Sequence, residues 1–147
     1  MIPEKETDRP DPDAYGGGIP GGLGINLLVR NVERSARFQA RVLGAQIRYW
    51  EEHFAIISAV GTTWLLHSDW SYRNHEMIGS VAGLEARGGG VELRLYGVDP
   101  DQAEAAANRC GATVLASASD KPHGLREVYI VDDDGYVWVP SRPTRDQ

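Results

Sequence analysis

The run Glu92-Leu93-Arg94-Leu95-Tyr96 sets a carboxylate, a guanidinium and a phenol at alternate positions, with leucines between them. In an extended strand successive side chains point to opposite faces, so the three polar groups share one face and the leucines the other. A carboxylate can act as a general base, and a phenol or an imidazole can act as the acid that polarises a substrate oxygen. Glu92 is the candidate base, with His67 or Tyr96 as the polarising acid. Arg94 beside Glu92 favours the ionised carboxylate, which suits an anchor more than a strong base. On a dry core face Glu92 and Arg94 would carry a heavy desolvation cost, so a wet or ligand-filled space is expected there. A simple ion pair between i and i+2 neighbours, lining a solvated groove, is the alternative, and the sequence leaves both open.

The elements that must position these groups repeat. Gly24-Ile25-Asn26-Leu27-Leu28-Val29-Arg30 alternates as a strand. With Ile25, Leu27 and Val29 under a helix, Gly24, Asn26, Leu28 and Arg30 face the other way, and Val91, Leu93 and Leu95 correspond in the second copy. Asn31 can cap a helix over 32–43, ended by Gly44, with strands expected at 46–50, 53–58 and 62–67. After the second strand, 91–96, Asp99-Pro100-Asp101-Gln102 has cap, first-turn proline and capping-box residues for a helix that Gly111 stops after Cys110. Strands at 113–116, 126–131 and 136–139 complete the copy. The fold expected is α+β: two tandem βαβββ units forming a curled mixed sheet with a central cleft. The units span 23–68 and 90–142, joined by a connecting segment 69–89 within one domain, 23–142. Residues 1–22, rich in Pro, Gly and charge, read as a flexible arm, and 143–147 as a tail.

Composition narrows the functional classes. The 147 residues are 41% hydrophobic with a net charge of −6, half of it in residues 1–13, which argues against a nucleic-acid partner. No apolar run approaches the roughly 20 residues that span a bilayer, so no membrane association is expected. The start of the chain lacks signal-peptide features and Cys110 is the one cysteine, so a cytoplasmic location is the expectation.

The closing stretch Leu125 to Val139, with Asp132-Asp133-Asp134-Gly135 as its turn and Tyr136-Val137 after it, reads as a hairpin. Together with the ordered caps, stops and strands of 22–142, it resembles the vicinal oxygen chelate superfamily, which includes glyoxalases, extradiol dioxygenases, fosfomycin resistance enzymes and bleomycin-binding proteins. The resemblance implies curled sheets around a substrate cleft and metal ligands of His, Gln or Glu on the first and last strands of each unit. Here those positions are Gly24, Leu65, Glu92 and Val139, of which only Glu92 can ligate. A catalytic divalent site takes about three protein ligands, so no metal and no other cofactor is expected. A displaced site of Glu92, His67 and Asn26 holding Zn, Ni, Mn or Fe is the alternative, although the charge of Arg94 opposes a cation there.

Two functions follow. The first is a metal-free, bleomycin-resistance-type protein binding a small aromatic or cationic-amphipathic molecule, with Asn26, His67, Glu92, Arg94, Tyr96, His123 and Trp70 as ligand contacts. The second is an enzyme: a metal-dependent glyoxalase-like lyase or dioxygenase with a displaced site, or a metal-free isomerase with Glu92 and His67 catalytic. His123, in the loop before the last hairpin, is either a proton carrier at the cleft mouth or an exposed loop residue. The aromatic segment around Trp70 and Tyr72 is either a lid or the anchor of a homodimer, a state that unpaired sheet edges also favour.

Overall fold

A computed structural model describes residues 2–4 and 10–145. The first unit consists of β1 (Asn26–Val29), α2 (Val32–Leu43), β2 (Gln46–Glu51), β3 (Phe54–Ala59) and β4 (Thr62–Ser68), preceded by a short helix α1 (Pro12–Gly17). The second consists of β5 (Glu92–Tyr96), α3 (Pro100–Arg109), β6 (Thr113–Asp120), β7 (Leu125–Val131) and β8 (Val137–Pro143). Each unit folds into a four-stranded sheet, in the orders β1-β4-β3-β2 and β5-β8-β7-β6. The orders correspond strand for strand: the first and last strands pair in parallel and the rest antiparallel, so each sheet is mixed. The α+β architecture of two βαβββ units is thus present.

Local chemistry sets the boundaries. Asn31 Oδ1 accepts from the Arg34 N–H at 2.9 Å, and Asp99 accepts from the N–H groups of Asp101 and Gln102, so both caps act as expected. Gly44 closes α2 at φ 66°. Gly135, at φ 83°, has no substitute: a Cβ there would lie 2.2 Å from the Glu85 carbonyl oxygen.

One core serves both units. Leu27, Val29, Val32, Ala36 and Leu43 of the first unit are buried in the same cluster as Leu95, Ala103, Ala107, Val128 and Ile130 of the second. The Trp64 and Trp138 rings meet across the units, 5.4 Å between centroids, and Trp64 Nε1 donates to Gln39 Oε1 at 2.9 Å inside α2's buried face.

Several local expectations are corrected. Val91 is exposed, not under a helix: it precedes β5, its N–H held by the Gly88 carbonyl. Cys110, expected at the end of the helix, follows α3 as its C-cap and is exposed. β6 runs on to Asp120 through two register irregularities in a Ser/Ala stretch with no apolar alternation to read. The expected arm, 1–22, lies partly outside the described residues, as do the ends of the 143–147 tail. Within it, α1 forms, Ile2 packs against the core, and Trp50 Nε1 donates to the Pro3 carbonyl at 2.8 Å.

The segment 69–89 is pinned to both units, with the Arg87 and Gly88 N–H groups donating to the Asp134 and Gly135 carbonyls at 3.1 and 3.2 Å. Arg87, buried, holds Asp69 through two hydrogen bonds of 2.7 and 2.8 Å and donates to the Leu28 carbonyl at 3.1 Å. Its pKa is raised above the ordinary arginine value, chiefly by the Asp69 hydrogen bonds.

Candidate functional site

Alternation on β5 turns Leu95 into the core and packs Leu93 against it, leaving Glu92, Arg94 and Tyr96 on the opposite face. The parallel register with β8 sets Arg94 beside Val139 and Tyr96 beside Ser141, and the antiparallel register of β7 sets Glu127 opposite Ser141. The intervening side chains, valine and serine, are short. The Arg94 guanidinium therefore reaches over β8 and donates from Nη2 to Glu127 Oε2. Its Nη1 donates to Glu92 Oε2 at 3.1 Å and its Nε to the Tyr96 hydroxyl at 3.1 Å.

Glu127 is 3% exposed and is the hub of this face. Besides Arg94, it meets the Tyr129 hydroxyl at Oε1, 3.4 Å, and His123 Nε2 at Oε2, 3.3 Å. Burial alone would raise its pKa, but hydrogen bonds from Arg94 and His123 outweigh burial and hold it below the ordinary value. Arg94 shows the mirror image: burial lowers its pKa, and hydrogen bonds with Glu127, Tyr96, Tyr129 and Glu92 together raise it further than burial depresses it. Tyr129 is pushed up, first by its hydrogen bond with Glu92 and then by burial. Ser141 Oγ, fully buried between these strands, has no hydrogen-bond partner among the described residues.

An open groove of about 290 Å³ runs along β5, between it and the β3–β4 turn. Ile25, Trp64, Leu93 and Trp138 give it an apolar wall, and Glu92, Arg94 and Tyr96 line it from the strand.

Asn26 and His67 belong to the first sheet, and Trp70 to the helical turn after it. Asn26 pairs with Leu65, and His67 pairs with Leu28 and Phe54. The His67 ring lies 5.1 Å from Phe54 and 5.2 Å from Tyr72, in a row of rings that continues to His75. Trp70 is exposed, stacked on His53 at 4.3 Å and capped by the Arg73 guanidinium at 3.6 Å. The residues expected together thus divide: Glu92, Arg94, Tyr96 and His123 in one network on the second sheet, Asn26 and His67 on the first, and Trp70 in the helical turn that follows β4.

Glu127, Tyr129 and Ser141 were not among the expected site residues. The period-two pattern of β7 identifies the first two, because Val128 and Ile130 are core. Ser141 lies past the expected strand end.

The donor set does not fit a divalent metal. Val139 and Leu65 are apolar, and the one carboxylate at a ligand position, Glu92, is bonded to a guanidinium. Among the described residues no three His, Cys, Asp or Glu side chains converge as a metal-binding group.

No protein-family model and no curated protein matches the sequence. Solved structures do. A glyoxalase/bleomycin resistance protein/dioxygenase from Nocardioides is 18% identical with a TM-score of 0.64, over 92% of this chain and 94% of that one. A glyoxalase/bleomycin resistance protein/dioxygenase family enzyme from Burkholderia phytofirmans PsJN is 15% identical at TM-score 0.66, covering 81% and 95%. The fosfomycin resistance protein FosX from Listeria monocytogenes is 15% identical at 0.63, covering 86% and 95%. The fold is that of the vicinal oxygen chelate proteins. On that fold this chain carries valine, Val139, at the last-strand position where the sequence resemblance implies a metal-binding carboxylate, and an arginine reaches across it. No helix among the described residues is long and apolar enough to cross a membrane.

Proposed function

We propose that the chain binds a small molecule against the Glu92–Arg94–Tyr96 face of the second sheet, without a divalent metal. The observation that carries this reading is the Arg94 guanidinium bonded to both Glu92 and Glu127. A cation is already built into the position where a metal would need carboxylates, so those carboxylates are not free to ligate. The two carboxylates and one guanidinium leave the face with one net negative charge. This favours neutral or cationic ligands over anions. The apolar groove beside Tyr96 supplies area for an aromatic or aliphatic body. We also propose a homodimer, in which a second copy covers free sheet edges.

Elemental analysis of the natively purified protein tests the metal-free reading, with less than a tenth of a Zn, Ni, Mn or Fe per chain expected. About one metal per chain, lost in Glu92→Ala, would overturn it. Screening neutral, cationic and anionic aromatic compounds by equilibrium dialysis tests the binding face: retention of cationic and neutral compounds is expected, weakened in Tyr96→Ala. A sedimentation mass of the single 16.1 kDa chain at micromolar concentration would refute the dimer.

A further inference from the structure

We infer that His123 and Glu127 form an imidazole–carboxylate dyad that removes a proton from a neutral carbon acid held on this face, with the Tyr96 hydroxyl taking the oxygen on which charge develops. The inference rests on the binding reading above and adds an activity to it.

The geometry distributes the roles. His123 enters from the loop before β7, its side chain 55% exposed, and its Nε2 lies 3.3 Å from Glu127 Oε2. Glu127 is buried and fixed by Arg94, so it can accept the Nε2 proton and hold the ring in one tautomer. That tautomer leaves the Nδ1 lone pair without a partner among the described residues and available to take a proton. Glu127 does not touch the substrate; it positions the imidazole and stabilises the imidazolium that forms. Glu92, the base expected from sequence, is bonded to Arg94 at 3.1 Å, and His123 is not.

The acid side lies one guanidinium away. Arg94 Nε donates to the Tyr96 oxygen, which leaves the Tyr96 O–H proton to be donated outward, and Tyr96 is 59% exposed. For a ketone the balance is as follows. Nδ1 takes the proton from the carbon next to the carbonyl, the C–H electron pair becomes the carbon–carbon double bond, and the carbonyl pair moves to an oxygen hydrogen-bonded by Tyr96. Return of the proton to the same carbon, from either face, restores the carbonyl and the dyad, so no oxidant, reductant or second substrate is consumed. The net negative charge of the Glu92, Arg94 and Glu127 set selects against carboxylate and phosphate substrates.

The elimination of 5-nitrobenzisoxazole is a suitable probe, because it needs only a base. The C–H proton goes to the base, its electron pair completes a nitrile, and the N–O bond breaks to a phenolate oxygen. Expected is a kcat/KM well above the second-order rate of free imidazole at the same pH. His123→Ala should lose about 100-fold or more, while equilibrium dialysis shows the probe still bound and circular dichroism is unchanged. Glu127→Gln should lower kcat about tenfold or more while the probe stays bound, and Glu127→Asp should restore part of that loss. A merely structural role for Glu127 would change the amount of folded protein and leave kcat in place. His75→Ala, an exposed imidazole outside the network, should retain the wild-type rate. A wild-type rate no higher than imidazole, or an unchanged rate in His123→Ala, would overturn the dyad. Binding without elimination would sink the dyad alone, whereas absence of binding would count against the ligand-binding face as well.

Discussion

The Arg94 guanidinium and the Glu127 carboxylate meet on the second sheet although they lie on strands that do not touch, β5 and β7, with β8 between them. This pair changes what a substitution at Arg94 means. From sequence alone, Arg94→Leu is expected to impair ligand binding far more than folding, and Leu93→Ala to cost about 2–5 kcal/mol. With Glu127 nearly fully buried, Arg94→Leu takes the guanidinium from a buried carboxylate, leaving it only Tyr129 and His123, and should cost about 3 kcal/mol of stability. Replacing both residues, Arg94→Leu with Glu127→Leu, should recover most of that loss. Urea unfolding of the two single variants and the double variant checks this: strictly additive losses would show that the pair is not coupled. Leu95→Ala, at a fully packed position, should now exceed Leu93→Ala in cost.

Glu127 also sets a pH dependence. Its folded pKa is lower than its ordinary 4.5, so its ionised form contributes stability at neutral pH. That contribution is present above the unfolded-state pKa and is lost as pH falls below about 4.5 and through the depressed folded value. Unfolding midpoints measured from pH 7 down to pH 3 should fall more steeply for the wild type than for Glu127→Gln. Parallel curves would mean that the carboxylate gains nothing from its partners.

The turn at Asp134 joins the two units. Asp134, 1% exposed, accepts from the Arg30 N–H and Nε at 3.1 Å and from the Ser35 hydroxyl at 3.2 Å. Asp134→Ala leaves these donors at the start of α2 without their acceptor and should cost about 2–4 kcal/mol. Asp133→Ala, one residue earlier and exposed, should cost less than about 1 kcal/mol. Equal effects in chemical unfolding would refute the joint.

Glycine at 135 and at 111 offers a contrast between steric and conformational cost. Both have positive φ, 83° and 70°. A Cβ at 135 would collide with the backbone of Glu85 and Ala86, whereas at 111 nothing lies within 4 Å. Gly111→Ala should cost about 1 kcal/mol, the price of the backbone conformation alone. Gly135→Ala should cost at least about 3 kcal/mol or abolish soluble expression. Similar melting temperatures for the two variants would contradict the close approach of 85–86 to the turn.

The sequence by itself determined the elements and their order, because caps, stops and strand alternation are decided within a few residues. Asn31 and Asp99 cap where their side chains reach the next N–H groups, Gly44 and Gly135 occur where φ is positive, and Leu95 and Arg94 face opposite ways on any extended backbone. The same locality made Glu92, Arg94 and Tyr96 legible as one polar face. Only the tertiary structure decided what that face holds. Glu127 joins Arg94 because parallel pairing of β5 with β8 and antiparallel pairing of β8 with β7 place them on either side of two short side chains, a register no local pattern encodes. Asp134 meets Arg30 across 104 residues for a similar reason: the shared core brings the last turn against the start of α2. His67 and Asn26 share the polarity of the site residues yet sit on the other sheet, because alternation fixes the face of a strand and not which sheet the strand joins.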